Sequence, residues 1–167
     1  DIKKNFDVTP DEIYEEICGA RLTTNVGRIG GFERDFNDIA FAKINKFLKE
    51  FPVALKEFES LLNRNRIFID RTAGVAKVTA EDALSFSWTG PLLRATGVDY
   101  DVRVSEPYSS YQDFDFEIPV GTTGDIYDRY LVRNEEMWQS LRLIEQAMEK
   151  LKKEPAGIFH ADVPEFY

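Results

Sequence analysis

The residues best equipped for chemistry in this chain lie in one short stretch, Gly19-Ala20-Arg21-Leu22-Thr23-Thr24-Asn25-Val26-Gly27-Arg28-Ile29-Gly30-Gly31. Four glycines and two arginines fall within it. Glycines this dense let a backbone turn sharply or come close to another group. The guanidinium groups of Arg21 and Arg28 add permanent charge and forked donors. Such a set suits a positively charged segment that comes close to another group, of a kind the residues alone do not name. The alternative is structural, with the two arginines bonding carbonyls at a helix C-terminus.

Elsewhere the chemical repertoire is thin. The single cysteine, Cys18, excludes an intrachain disulfide and reads as a small buried apolar residue beside a helix stripe. The single histidine, His160, lies in a polar tail. A structural zinc site takes about four Cys or His ligands, and an iron–sulfur cluster about four cysteines, so this chain alone holds neither. It has no EF-hand-like acidic loop and no nucleophile paired with a base. Gly121-Thr122-Thr123-Gly124-Asp125 has the look of a phosphate loop but lacks the lysine of a Walker A motif. It is expected to be a turn ahead of a helix cap.

Charge narrows the partners. With 30 acidic and 21 basic residues the net charge is −9, which argues against nucleic acid. Tyr108, Tyr111, Phe114 and Phe116 could stack on bases, but Glu106, Asp113, Asp115 and Glu117 surround them. Packing against a neighbouring region or subunit is the expectation for these aromatics. No apolar run approaches the roughly 18–20 residues that cross a bilayer, and residues 1–5 lack the apolar stretch of a signal peptide. At 167 residues with 43 % hydrophobic content, residues 1–167 suit a single domain with a real core.

The elements that must position these residues read as mostly helical. Thr9-Pro10-Asp11-Glu12 is a helix start, with a capping box and proline at the first position. Asn37-Asp38 caps a second helix, whose apolar residues from Phe41 to Leu62 recur at spacings of three and four. Pro52 should kink or divide it. Ile67-Phe68-Ile69 and Val75-Ala76-Lys77-Val78 read as extended, pairing as a small hairpin around Ala73-Gly74. Thr79 caps a short helix, and Pro91 to Thr96 forms another turn or two, ending at Gly97. Residues 98–123 lose all periodicity, as a long loop laid over a neighbouring surface does. A last helix runs from about Asp125 to Lys153. On its apolar stripe Asn134 is expected to make a buried hydrogen bond that fixes register. Asn63-Arg64-Asn65-Arg66 reads as a solvated helix end.

Six blocks in order carry a family resemblance: Gly19–Gly31; Asp70-Arg71-Thr72-Ala73-Gly74-Val75; Thr89–Asp101; Glu106-Pro107-Tyr108-Ser109-Ser110-Tyr111; Val120–Asp125 leading into Tyr127-Asp128-Arg129-Tyr130; and Gln139-Ser140-Leu141. Together they resemble the D subunit, the quinone-proximal large subunit of respiratory complex I, NADH–quinone oxidoreductase. That family is related to the large subunit of nickel–iron hydrogenases. The resemblance implies a mainly α fold, a helical bundle with a small β element and a long aromatic loop. It also implies that the chain is the central part of a longer subunit.

By the same resemblance it packs against the iron–sulfur B subunit, which carries the terminal 4Fe–4S cluster, and neighbours other subunits of complex I, the C subunit in particular. Quinone is reduced between the D and B subunits, within an electron-transporting translocase whose NADH is oxidised elsewhere in the complex. Arg21, Thr23 and Arg28 are then placed near the partner's cluster, where cations favour its reduced form. The chain itself binds no cofactor and no metal, and is expected to be inactive alone. The membrane is met only through the complex, peripherally, on the cytoplasmic side of a bacterial membrane. Thr23 departs from the family, many members of which have a histidine there. A threonine cannot titrate, which implies a cluster potential that is lower and less dependent on pH, suited to a low-potential quinone. Asn134 and Trp138 stand where the family often has methionine and arginine. A related membrane-bound hydrogenase subunit and a stand-alone helical interaction module are the competing readings.

Overall fold

The computed structural model describes residues 7–155 and 157–163. Its helices are α1 (Pro10–Cys18), α2 (Asp38–Leu62), α3 (Arg66–Thr72), α4 (Ala80–Ser85), α5 (Gly90–Arg94), α6 (Val102–Ser105) and α7 (Ile126–Lys153). Strands β1 (Gly27–Arg28) and β2 (Gly31–Phe32) form a two-stranded antiparallel hairpin. The fold is therefore mainly α with a small β element, as the sequence implies. The described residues group into two compact units. One comprises those up to Glu57 together with those from Lys150 on; the other runs from Phe58 to Glu149.

Local signals set most helix ends. Pro10 opens α1, Glu12 Oε2 accepts the Thr9 N–H at 3.2 Å, and Gly19 closes the helix in the left-handed conformation at φ 75°. Asn37 Oδ1 accepts the Ala40 N–H at 2.7 Å and so starts α2. Thr79 Oγ1 caps α4 through the Asp82 N–H at 3.1 Å. In α2, Ala40, Ile44, Phe47 and Leu55 are buried, at the three- and four-residue spacings of an amphipathic helix. Of the two expected outcomes at Pro52, a kink or a division, the division does not occur: α2 runs as one helix from Asp38 to Leu62 with the proline inside it.

The hairpin expected over residues 67–78 is not there. Ile67, Phe68 and Ile69 lie in α3, whose first turn is capped by Asn65 Oδ1 accepting the Phe68 N–H at 3.2 Å. Phe68 packs edge-on against Tyr130 and Tyr127 of α7, with ring centroids 5.0 and 6.2 Å away. That contact needs the helical projection of residue 68, so packing overrides the β preference of the Ile-Phe-Ile run. Val78 does make a backbone bond, but to the Gly124 carbonyl at 3.0 Å. Asn63 also differs from a merely solvated helix end: its carbonyl accepts the Tyr127 hydroxyl at 3.0 Å and its Oδ1 the Tyr130 hydroxyl at 2.6 Å.

Residues 121–125 form a turn that leads into α7. Asp125 Oδ1 accepts the Asp128 N–H at 2.8 Å, and the Gly121 and Gly124 N–H groups each donate at 2.9 Å to the carbonyls of Arg94 and Ala95. Gly124, at φ 73°, lies so close to Val78 that a β-carbon there would strike its carbonyl oxygen. The glycines serve backbone packing, and the turn reading of this motif holds. The long aromatic segment is tied to α7 of its own unit. Asp115 and Glu117 donate their N–H groups to Gln146 and Gln139 at 2.9 and 3.0 Å, and Arg142 pairs with the Asp115 carboxylate.

Candidate functional site

The glycine-rich segment leaves α1 at Gly19 and returns through the β1–β2 hairpin. Of residues 21–30 only Val26 is partly covered; the others are exposed. Leu22 and Ile29 are 91 % and 72 % exposed, high values for large apolar side chains within one short segment.

The structure gives each predicted residue a definite place. Arg21 Nε donates to Glu15 Oε2 on α1 at 2.8 Å, and this carboxylate holds the guanidinium pKa above its ordinary value. Arg28 on β1 donates through Nη2 to Glu33 Oε2 at 2.6 Å. The Asn25 amide, oriented so that both its ends are satisfied, accepts from Arg28 Nη1 at 2.8 Å and donates to the Gly27 carbonyl at 3.2 Å. Thr23 is exposed in the bend between them. The arginines thus bond carboxylates rather than helix-end carbonyls, and each is oriented from within the chain. Cys18 is half-buried rather than buried, with Sγ donating to the Tyr14 carbonyl at 2.9 Å. His160 does not join Arg21 or Thr23, but it pairs with Gly31 in an antiparallel bridge.

The segment's donors fit a charged group presented from outside, since Arg21 remains 65 % and Arg28 45 % exposed at the side chain. Among the described residues no three His, Cys, Asp or Glu side chains converge to hold an ion.

A second constellation carried no assigned role in the sequence. Arg94 on α5 is buried, with its Nη1 3.2 Å from Asp101 Oδ2 and its Nη2 on the Glu136 carboxylate of α7. Asp101 also takes both Nε and Nη2 of Arg103, at 2.9 and 2.6 Å. Arg103 in turn lies 5.0 Å from the ring centroid of Phe116, within cation–π range. The chain Arg103–Asp101–Arg94–Glu136 alternates in sign and sums to zero. Hydrogen bonds from Arg103, opposed by burial, hold the Asp101 carboxyl below its ordinary pKa. A cavity of about 550 Å³ lies beside it, lined among others by Thr89, Tyr100, Tyr108 and Ser140. The available signal was Arg94 itself, a cation directly after two leucines in a helical turn.

Comparison with known proteins decides the family. A family model described as respiratory-chain NADH dehydrogenase, 49 Kd subunit, matches residues 10–166. The chain belongs to this family. Within the NADH dehydrogenase 49 Kd family, the NADH-quinone oxidoreductase D 2 subunit of Cytophaga hutchinsonii is 70 % identical over 156 residues, covering 93 % of this chain and 40 % of the relative. The D subunit of Flavobacterium johnsoniae is 65 % identical over 157 residues, covering 93 % of this chain and 37 % of the relative. The NADH-quinone oxidoreductase C/D 1 subunit of Aquifex aeolicus is 49 % identical over 142 residues, covering 85 % of this chain and 24 % of its own length. The chain thus spans about two fifths or less of the curated relatives it matches. No helix among the described residues is long and apolar enough to cross a membrane.

Proposed function

We propose that this chain is the central part of the D subunit of an NADH–quinone oxidoreductase, and that its Gly19–Gly31 segment faces the partner that holds the terminal iron–sulfur cluster. There it forms one wall of the quinone reduction site. The carrying observation is the segment's exposure: Leu22 and Ile29 stand almost bare beside Arg21, Thr23 and Arg28. Exposed apolar side chains next to cations suit a protein partner with a negatively charged group near its surface. The partner's cluster supplies the electron. The contribution of this chain is electrostatic and positional, with guanidinium groups held by Glu15 and Glu33 close to where negative charge arrives. The relatives' names favour this reading over a hydrogenase subunit. The relative whose name joins C with D supports the C subunit as a neighbour. Peripheral attachment on the cytoplasmic face of the membrane is part of the same proposal.

The test is complementation of a strain lacking the D subunit with the full-length protein, wild type or Arg28→Gln, followed by purification of the complex. Wild type should bring down the iron–sulfur partner and restore quinone reduction by NADH. Arg28→Gln should assemble but shift the cluster's midpoint potential downward. Failure of the wild type to associate with the cluster-bearing partner overturns the reading.

A further inference from the structure

The glycines at the end of the segment answer to the chain's own tail. Residues 159–161 pair with the hairpin along the edge of β2 opposite β1: the Phe32 N–H donates to the Phe159 carbonyl and the Ala161 N–H to the Gly30 carbonyl, both at 2.9 Å. Gly31 bridges His160 on one side and pairs with Arg28 on the other. Arg28, Gly31 and His160 therefore stand in line across three chain segments, although the last two lie far apart in the sequence.

The tail allows no side chain here. At Gly30, φ 100°, a β-carbon would lie 2.6 Å from Val163 Cγ2 and 3.0 Å from the Ala161 carbonyl oxygen. At Gly31, φ 144°, it would strike the Phe159 carbonyl oxygen. By contrast, a β-carbon at Gly19 or Gly27 would meet nothing within 4 Å. The dense pair Gly30-Gly31 is thus explained by close approach of the tail, with no partner needed. A hairpin with two residues per strand is marginal alone; the bridge from residues 159–161 adds two backbone bonds to its edge.

The geometry points to residues 159–163 as a strap that positions the Arg28 hairpin for the cluster-bearing partner, with Gly30 and Gly31 as positioning residues. This rests on the partner-facing reading of the segment. The strap grips β2, leaving β1 and Arg28 on the far side.

Ala161→Pro tests the strap without changing the glycine segment: it removes the N–H that Gly30 accepts and restrains the backbone at residues 160 and 161. In the assembled complex carrying the full-length protein, amide hydrogen exchange at Phe32 should quicken on the order of tenfold, while α2 amides stay unchanged. The midpoint potential of the partner's cluster should move in the same direction as in Arg28→Gln. A side-chain route reads the same contact. Gly30→Ala should also speed exchange at Phe32, and Val163→Ala should relieve part of that effect, making the pair non-additive. Unchanged exchange at Phe32 in Ala161→Pro, or strict additivity of the pair, overturns the strap. If Arg28→Gln moves the cluster potential and the strap variants do not, the positioning role is overturned alone. If none of them moves it, the partner-facing reading of the segment falls as well.

Discussion

Asn134 and Trp138, one turn apart on α7, share a single acceptor: Asn134 Nδ2 and Trp138 Nε1 both donate to Glu59 Oε1, at 2.7 and 2.6 Å. Two side chains of the last helix thus converge on one carboxyl group of α2. The buried hydrogen bond expected of Asn134 is present, and its partner is the Glu59 side chain on α2.

The pair gives opposite predictions for its two ends. Asn134 is 5 % exposed, and its Oδ1 is buried without a partner. Asn134→Leu removes that orphan acceptor, and Trp138 continues to hold Glu59. A space of about 490 Å³ beside Asn134 has room for the larger side chain. Stability should rise by about 1 kcal/mol, the net of losing one charge-assisted bond, relieving the orphan and burying apolar area. Glu59→Ala leaves the Asn134 amide without its acceptor and should cost about 2 kcal/mol. Denaturant titration of the full-length protein checks both. A loss of stability in Asn134→Leu would show that the polar group stabilises the fold outright.

Asp101 sets an acid limit on the second unit. Hydrogen bonds from Arg103 hold its carboxyl below the ordinary value of 3.8, against the opposing effect of burial. A depressed pKa means that the ionised form is favoured by folding. Its stabilisation is complete above the ordinary carboxylate pKa and disappears as pH falls through the lowered value. Asp101→Asn leaves Arg94 and Arg103 with less compensation and should cost on the order of 3 kcal/mol at neutral pH. The deficit should shrink as the medium is acidified below 3.8. Equal deficits at pH 7 and at strongly acid pH would contradict the assignment.

What was legible in the residues was what depends on neighbours in sequence. Pro10 and Glu12, Asn37 and Thr79 carry their capping chemistry within four positions, and the structure uses each as read. Ile67-Phe68-Ile69 misled because its β-branched pattern is local, whereas the rings that claim Phe68 lie on α7, about sixty residues on. The true hairpin at 27–32 went unread because strands of two residues show no alternation, and because the third segment that steadies it comes from the tail. Arg94, Asp101 and Glu136 were invisible as a group for the same reason. In the candidate site, the types and positions of Arg21, Thr23 and Arg28 were legible. The carboxylates that orient them, Glu15 and Glu33, were not.

Thr23 makes the proposed site testable by pH. A hydroxyl exposed between two ion-paired arginines has no proton to exchange near neutrality, so the facing cluster should have a midpoint potential nearly flat between pH 6 and 8. Thr23→His places an imidazole of ordinary pKa about 6.5 there. Protonation on reduction would then couple the two events, and the slope should steepen toward about 60 mV per unit near the imidazole pKa, the one-proton, one-electron limit. Redox titration of the complex at several pH values, followed by the cluster's paramagnetic signal, measures this. A steep slope in the wild type would mean that another group titrates with the cluster.

Pro52 is the least expected feature of α2. It has no N–H to give the Leu48 carbonyl, and its ring crowds the preceding turn, yet the helix runs unbroken from Asp38 to Leu62. Packing on either side holds it. Ile44, Phe47 and Leu55 are buried, and the Phe47 and Phe51 rings stack with centroids 4.9 Å apart. The helix therefore carries the proline as a cost that its apolar face outweighs. Pro52→Ala restores the missing donor and should stabilise the full-length protein by about 1–3 kcal/mol, less roughly 0.5–1 kcal/mol for the freer unfolded chain. Thermal and denaturant unfolding measure it, and helix content should stay the same. A fall in stability would show instead that the pyrrolidine ring packs where a methyl group cannot.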